Sequence, residues 1–315
     1  MIPIDMRHYR FILPVLLVLI AGCGQKQPAS ETASQDQLLS VAVVNYPLAF
    51  FAERIGQDLV DILFPVPGGT DPAYWVPDKQ GVTAFQSADI ILLNGAGYAE
   101  WLNTVSLPGS KTVNTSQSIS SRLLMEAEGV THSHGLEGEH EHGNLAFTTW
   151  LDPRLAIEQA RSVYEAITRE IPEREAIFAD HFHALEQELM SMDAMIEELV
   201  SRDPGKTLIF SHPVYQYFTA RYGIPALNLH WEPDQVWDGQ MARELEQIRH
   251  GTDAAWMIWE DEPLPETVSR LRELGVESTV FSPCANTPDA GDYLEVMKQN
   301  IENLVPVYDP DLGTR

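Results

Sequence analysis

Histidine is concentrated in one short segment of this chain. Residues 131–143 read THSHGLEGEHEHG and hold four of the ten histidines, His132, His134, His140 and His142. Neutral imidazole is the commonest protein ligand for zinc, copper and nickel, and the interleaved glutamates attract cations. With a single apolar residue, Leu136, and turn glycines at Gly135 and Gly138, the segment is unsuited to a packed core. The composition therefore predicts a metal-binding surface loop, and the alternative is a solvated acidic loop without a ligand.

The N-terminus predicts export and a lipid anchor. Arg7, His8 and Arg10 precede the apolar run FILPVLLVLIAG, which has the length of a signal-peptide core and is short for a bilayer span. The run ends at Cys23 in a context that resembles the bacterial lipobox. We expect residues 1–22 to be a signal peptide, Cys23 to carry lipid and residues 23–38 to form a tether. The mature protein would then be extracytoplasmic and membrane-anchored, on the periplasmic side in a Gram-negative cell; an uncleaved anchor helix is the alternative.

The charge balance and the cysteines narrow the possible functions. The chain has 46 acidic against 20 basic residues, a formal charge of −26. Such a surface repels phosphate backbones, which argues against nucleic-acid binding, and attracts divalent cations. With Cys23 lipidated, Cys284 is the remaining thiol, so no intramolecular disulfide is expected.

Strand and helix patterns alternate along the chain. Buried-strand runs such as Leu39–Val44 and Ile90–Asn94 are followed by segments with helical spacing, and the pattern resumes at Thr207. Between the two series, apolar residues recur every three to five positions from Pro172 to Val200, which predicts one long helix. We expect an α/β fold of two βα lobes with mainly parallel sheets, joined by this helix. The expected parts are an N-terminal lobe at 39–171, a linker helix at 172–203, a C-terminal lobe at 204–305 and a tail at 306–315.

Six stretches together resemble the metal-specific solute-binding proteins of ABC transporters, the zinc/manganese cluster. They are NYPLAFFAERIG (45–56), PGGTDPAYWVPD (67–78), ADIILLNGAGYAEWL (88–102), TTWLDP (148–153), FSHPVYQYFTARYGI (210–224) and GDYLEVMKQNIENL (291–304). The resemblance implies a ligand cleft between the lobes and a monomeric binding protein that delivers a divalent metal to an ABC permease.

The resemblance also implies which positions should bind the metal, and most of them are substituted. In the family, three histidines and one carboxylate, or close variants, hold the ion. Here Ala73, Thr148 and Ser282 stand at three of these positions, and His212 is retained. Zinc needs three or four protein ligands, so one imidazole is insufficient.

Three explanations remain open. The histidine-rich loop could cover the cleft and supply imidazoles beside His212. The cleft could instead bind a metal complex or another small solute between aromatic walls that include Tyr74 and Trp150. In the third, the protein is a metal chaperone or buffer that binds metal only through the loop.

Other candidates surround the expected cleft. His230 and Glu232 follow a strand and are interpreted as its lip. Glu260 ends another strand and is interpreted as structural or gating. Cys284 is either a buried inert thiol or a soft ligand. No common catalytic motif occurs, so we expect a non-enzyme; a metal-dependent hydrolase using His212, His230 and Glu232 is the remote alternative. The favoured function is capture of a divalent transition metal, zinc foremost, for an ABC importer.

Overall fold

The computed structural model describes residues 38–125 and 145–309, together with the backbone of residues 132–133 and 139–140. The expected signal peptide, Cys23 and most of the tether lie outside the described residues. The strands are β1 Leu39–Val43, β2 Val60–Leu63, β3 Ile90–Leu93, β4 Thr112–Asn114, β5 His132–Ser133, β6 Glu139–His140, β7 Leu208–Phe210, β8 Ala226–Asn228, β9 Trp256–Trp259 and β10 Glu277–Val280. The α-helices are α1 Tyr46–Gly56, α2 Lys79–Ser87, α3 Pro153–Glu170, α4 Glu175–Val200, α5 Gln216–Tyr222, α6 Gly239–Arg249, α7 Pro265–Glu273 and α8 Tyr293–Tyr308.

Two four-stranded sheets carry the fold, and all their strand pairs are parallel. The first has the order β2-β1-β3-β4 and the second the order β10-β9-β7-β8. In both sheets the first strand along the chain pairs with the second and the third, so each sheet has a topological switch point between its first and third strands. The expected α/β class with two parallel sheets is therefore confirmed.

Short polar side chains set where most of the helices begin. A carboxylate or amide oxygen of the residue before the helix accepts a backbone N–H of the first turn, which would otherwise lack a partner. The residues that do this are Asn45 for α1, Asp78 for α2, Asp152 for α3, Asp238 for α6 and Asp292 for α8. These signals are local, which is why sequence patterns locate the helices within a few residues.

Helix α4 packs against elements that belong to both lobes. It contacts α1 and α3 on the N-terminal side and α5 and α8 on the C-terminal side. Its apolar face lies in one hydrophobic cluster with residues of both sheets. The helix begins at Glu175, three residues after the expected start, because Pro172–Arg174 form a separate 3-10 turn. The two lobes therefore share one core and are not joined by a bare connector.

A buried carboxylate on α4 ties the lobes together. Asp193 accepts hydrogen bonds from Arg154 of α3 at 2.9 Å, and from Arg221 at 2.7 and 2.9 Å and Tyr222 at 3.0 Å, both of α5. Burial alone would raise the pKa of Asp193, but these hydrogen bonds outweigh it and lower the pKa.

The C-terminal end of helix α8 differs from the sequence expectation. Helix α8 continues to Tyr308 instead of ending near 305, because Val307 and Tyr308 are buried. The histidine-rich segment, expected to be a surface loop, contains a short antiparallel pairing of His132 with His140 and of Ser133 with Glu139 in its backbone. Among the described residues, no helix is both long and apolar enough to cross a membrane.

Candidate metal centre

Three candidate side chains meet at the carboxyl edge of the second sheet. His212 follows β7 by two residues, Glu232 lies beyond the end of β8, and Glu260 directly follows β9. Strands β7 and β9 flank the switch point of this sheet, where the following segments diverge and leave a crevice. Sequence reasoning named all three residues, but it interpreted the two glutamates as a lip and a gating residue. The sequence feature that indicates a ligand role for Glu232 and Glu260 is their position just after predicted strands.

The three side chains are close enough to share one cation. One ligand atom from each of His212, Glu232 and Glu260 lies within 4.8 Å of the others. His212 Nδ1 is 3.8 Å from a carboxylate oxygen of Glu232. His212 is buried, whereas the Glu232 side chain is 44% exposed, so the cluster opens to solvent on the Glu232 side. One imidazole and two carboxylates are a suitable donor set for a divalent transition metal.

The electrostatics of Glu260 also favour a cation. Burial, and then the negative charges of Glu232, Asp71 and Asp261, raise the pKa of the Glu260 carboxyl to about 8. All four of these influences act in the same direction. A divalent ion between the carboxylates would favour the charged form of Glu260 and so lower its pKa. Asp71 lies in the 67–78 segment of the N-terminal lobe, so both lobes contribute negative charge to the site; sequence analysis had not singled out Asp71 or Asp261.

The switch point of the first sheet is filled differently. There, Asn45 follows β1 and donates to the side chain of Asn94, which follows β3, at 3.2 Å. Gln159 of α3 donates to the same Asn94 oxygen at 3.1 Å and accepts from Thr149. All of these side chains are buried. Neutral amides therefore satisfy one another in the first crevice, whereas the second crevice collects charged groups.

His230 lies beside the cluster without belonging to it. Its ring centroid is 5.7 Å from that of His212, at an interplanar angle of 82°. Burial lowers the pKa of His230, and the charge of Glu244 opposes this shift. The side chain of His230 is exposed.

Thr148 and Trp150 make contacts between the lobes. The Thr148 hydroxyl donates to the carbonyl oxygen of Val214, and the Val214 N–H donates to the carbonyl of His212 at 2.9 Å. Trp150 Nε1 donates to the carbonyl of Pro283 at 2.8 Å. Thr148 thus positions the turn that carries His212, and both side chains connect the N-terminal lobe to loops of the second sheet.

The other residues that the sequence singled out, Ser282, Cys284 and Tyr74, do not belong to the cluster of His212, Glu232 and Glu260. Ser282 is bonded through its backbone to Asn300, and its hydroxyl accepts from the N–H of Cys284. Cys284 is buried in the hydrophobic cluster, and burial followed by the charge of Asp292 raises its pKa to about 12. Its thiol therefore stays protonated, which disfavours the soft-ligand interpretation. Tyr74 lines a small cavity together with Ala73.

Most of the histidine-rich segment, residues 131–143, lies outside the residues that the structure describes. His134 and His142 lie outside the described residues, and for His132 and His140 only the paired backbone is described.

A two-lobed α/β chain with candidate ligand side chains at the carboxyl edge of a sheet is the arrangement expected of a solute-binding protein. The family model of the zinc-uptake complex component A, periplasmic, matches residues 41–307, and the chain belongs to this family.

Curated relatives and solved structures agree with this assignment. The chain is 25% identical over 315 residues to the metal ABC transporter substrate-binding lipoprotein ScbA of Streptococcus cristatus, covering 95% of this chain and 98% of ScbA. It is 22% identical over 312 residues to the manganese ABC transporter substrate-binding lipoprotein PsaA of Streptococcus pneumoniae, with coverage of 95% and 98%. These relatives are named as substrate-binding proteins and not as enzymes.

Among solved structures, Zn(II)-bound AdcA of Streptococcus pneumoniae superposes with a TM-score of 0.73 at 20% identity, over 87% of this chain and 58% of AdcA. The metal-dependent lipoprotein YcdH of Bacillus subtilis gives a TM-score of 0.73 at 19% identity, over 85% of this chain and 98% of YcdH. These structures share the fold.

Proposed function

We propose that this protein is an extracytoplasmic lipoprotein that captures a divalent transition metal, zinc foremost, and delivers it to an ABC import permease. The observation that carries the proposal is the cluster of His212, Glu232 and Glu260 at the switch point of the second sheet. It brings three candidate ligand atoms within 4.8 Å of one another, in a chain where three of the usual family positions are substituted.

The donor set agrees with this cargo. Two carboxylates neutralise a divalent cation, and an imidazole adds the borderline ligand that zinc prefers over magnesium or calcium. Sites of nitrogen and oxygen donors generally bind zinc more tightly than manganese, as the Irving–Williams order describes. The names of the curated relatives include manganese, and the solved structures that share the fold include one with bound zinc.

Delivery requires a tether and a membrane partner. The signal sequence at 1–22 and the expected lipid on Cys23 would hold the protein outside the cytoplasm beside its permease, and a monomer suffices for this role. The histidine-rich loop at 131–143 would raise the local metal concentration or add ligands from above the crevice. Glutamates of the C-terminal lobe supply the donors that the substituted positions lack.

Isothermal titration with Zn²⁺ and Mn²⁺ tests the proposal, with metal content determined after native purification. The wild type is expected to bind zinc in the crevice more tightly than manganese, and His212→Ala should weaken that zinc site by at least about tenfold. His250→Ala is the matched control, because His250 is exposed at the C-terminus of α6. Unchanged zinc affinity in His212→Ala would contradict a crevice site, and loss of all zinc on removal of the loop histidines alone would favour the buffer function.

A further inference from the structure

Asn286 lies in the loop after β10 and connects the two lobes. Its side-chain amide donates to the carbonyl of Pro67 and to the carbonyl of Thr70, both at 2.8 Å. The N–H of Thr70 in turn donates to the carbonyl of Pro67 at 3.2 Å, so residues 67–70 form one turn of the N-terminal lobe. A carboxamide nitrogen has two N–H donors, which matches the two carbonyls of this turn.

The loop that carries Asn286 is fixed in shape by other contacts. The carbonyl of Ala285 accepts the N–H of Tyr46, the first residue of α1, at 2.9 Å. The carboxamide oxygen of Asn286 accepts the N–H of Thr287 at 2.7 Å, which sets the direction of the amide. Cys284 has a φ of 55°, in the left-handed region that a residue with a side chain adopts when its surroundings impose it. The amide of Asn286 is therefore presented from a well-held support.

The turn held by Asn286 leads directly into Asp71, whose charge reaches the metal cluster. The Asp71 carboxylate accepts the N–H of Ala73 at 2.8 Å, so this side chain is fixed within its own segment. Its negative charge acts on Glu260 across the boundary between the lobes. No lysine or arginine occurs in residues 64–78, so the charge of this segment is purely negative. The position of the 67–70 turn therefore decides how close this negative charge lies to the crevice.

We propose that Asn286 is a positioning residue for metal capture, which fixes the 67–70 turn on the C-terminal lobe so that Asp71 adds its charge to the attraction for a cation. Asn286 does not touch the ion and acts through Asp71. This inference rests on the proposed function, because the ion is the one assigned to the cluster of His212, Glu232 and Glu260.

A double-mutant cycle of Asn286→Ala and Asp71→Asn, read by zinc titration at low salt, tests the inference. Each single substitution should lower zinc affinity about three- to tenfold, because one loses the two hydrogen bonds that hold the turn and the other loses the charge. In the Asp71→Asn background, Asn286→Ala should lower the affinity further by less than about 1.5-fold, since no charge is left to position.

Asn303→Ala is the matched control. The Asn303 amide donates to the carbonyl of Val280 at 3.0 Å, and this hydrogen bond lies within the C-terminal lobe. The control therefore also loses a hydrogen bond from an amide to a carbonyl, and it should keep zinc affinity within about 1.5-fold of the wild type.

Two further measurements separate positioning from a general loss of stability. Hydrogen exchange at residues 70–75 should be faster in metal-free Asn286→Ala than in the wild type, and unchanged in Asn303→Ala. At about 0.5 M salt the difference in zinc affinity between the wild type and Asn286→Ala should shrink to below about twofold, because salt screens the charge of Asp71.

The outcomes separate this inference from the proposed function. Additive costs in the cycle, or full zinc affinity in Asn286→Ala, would overturn the role of Asn286, and the capture function would stand if His212→Ala still weakens the zinc site. If His212→Ala and Asp71→Asn both leave zinc binding unchanged, the crevice is not the metal site and both proposals fail. The melting temperature of each metal-free variant verifies that it is folded during the titration.

Discussion

Replacing Glu260 by Gln should stabilise the metal-free protein while it weakens metal binding. The pKa of this carboxyl is raised from 4.5 to about 8, so the folded state holds the proton more tightly than the unfolded state does. This contribution to stability is present below pH 4.5 and is lost as the pH rises through about 8. Glutamine has the same shape and no charge, so the variant avoids that loss.

The expected gain in unfolding free energy follows from the difference between the folded and the unfolded pKa of Glu260, which is roughly 3.5. At full value this difference corresponds to about 5 kcal/mol, which is an upper bound because water and local relaxation reach a partly buried carboxylate. We therefore expect the variant to gain about 1–2 kcal/mol at pH 8. For a chain of this length that is a rise in melting temperature of roughly 2–6 °C.

Metal binding should change in the opposite direction. With a pKa of about 8, roughly nine in ten Glu260 carboxyls carry a proton at pH 7, and a bound ion must displace it. Titration calorimetry in two buffers of different protonation enthalpy should detect about 0.9 protons released by Glu260 per zinc in the wild type. This release should be absent in Glu260→Gln, whose zinc affinity should be at least about tenfold lower.

Scanning calorimetry of the metal-free and zinc-loaded proteins completes the assay, with the exposed Glu262→Gln on the same loop as control. A fall in the metal-free melting temperature of Glu260→Gln would show that its neighbours do not destabilise the carboxylate. Full zinc affinity in the same variant would remove Glu260 from the ligand set.

Three further predictions concern other parts of the molecule. Asp193→Asn should cost about 3 kcal/mol in urea unfolding at pH 7, because it removes the buried carboxylate 2.7 Å from Arg221 and leaves Arg221 with the more distant, exposed Glu197 at 3.9 Å. Since the pKa of Asp193 is lowered, the wild type should lose this advantage as the pH falls below about 4; an unchanged difference at pH 3 would contradict the ion-pair argument. Alanine at all four histidines of residues 131–143 should lower zinc stoichiometry or affinity in titration, and unchanged values would exclude the loop. Zinc should change the radius of gyration from small-angle scattering by less than about 1 Å, because α4 contains no proline or glycine and both lobes share its core; a larger decrease would refute this rigidity.

Helices and strands were predictable from the sequence because their signals are local. The strand at Ile90–Leu93 is an apolar run, and the helix at Lys79–Ser87 begins after a capping aspartate. The long helix after Pro172 followed from apolar spacing. The 3-10 turn at Pro172–Arg174 and the extension of α8 to Tyr308 were not predicted, since they depend on which side chains the rest of the molecule buries.

The candidate site was predictable only in part. His212 was identified through a resemblance between sequence stretches, which does not need the fold. The sequence grouped Glu232 with His212 only in the remote hydrolase alternative and did not group Glu260 with either residue, because the three are separated by 20 and 28 positions and no spacing rule connects them. The resemblance identified Thr148 as a substituted ligand position, and the structure adds a contact that the sequence did not predict, the hydrogen bond from its hydroxyl to the carbonyl of Val214 in the turn after His212.

The sequence by itself determined the composition-dependent properties of this protein: its acidity, its expected export and lipid anchor, its concentration of imidazoles and its alternation of strands and helices. Each of these depends on residues that are adjacent or a few positions apart. Only the tertiary structure decided that the order β10-β9-β7-β8 places the ends of β7 and β9 side by side. Strand order is set by packing over the whole chain, and this packing brings the carboxylates together, excludes water from Glu260 and raises its pKa to about 8.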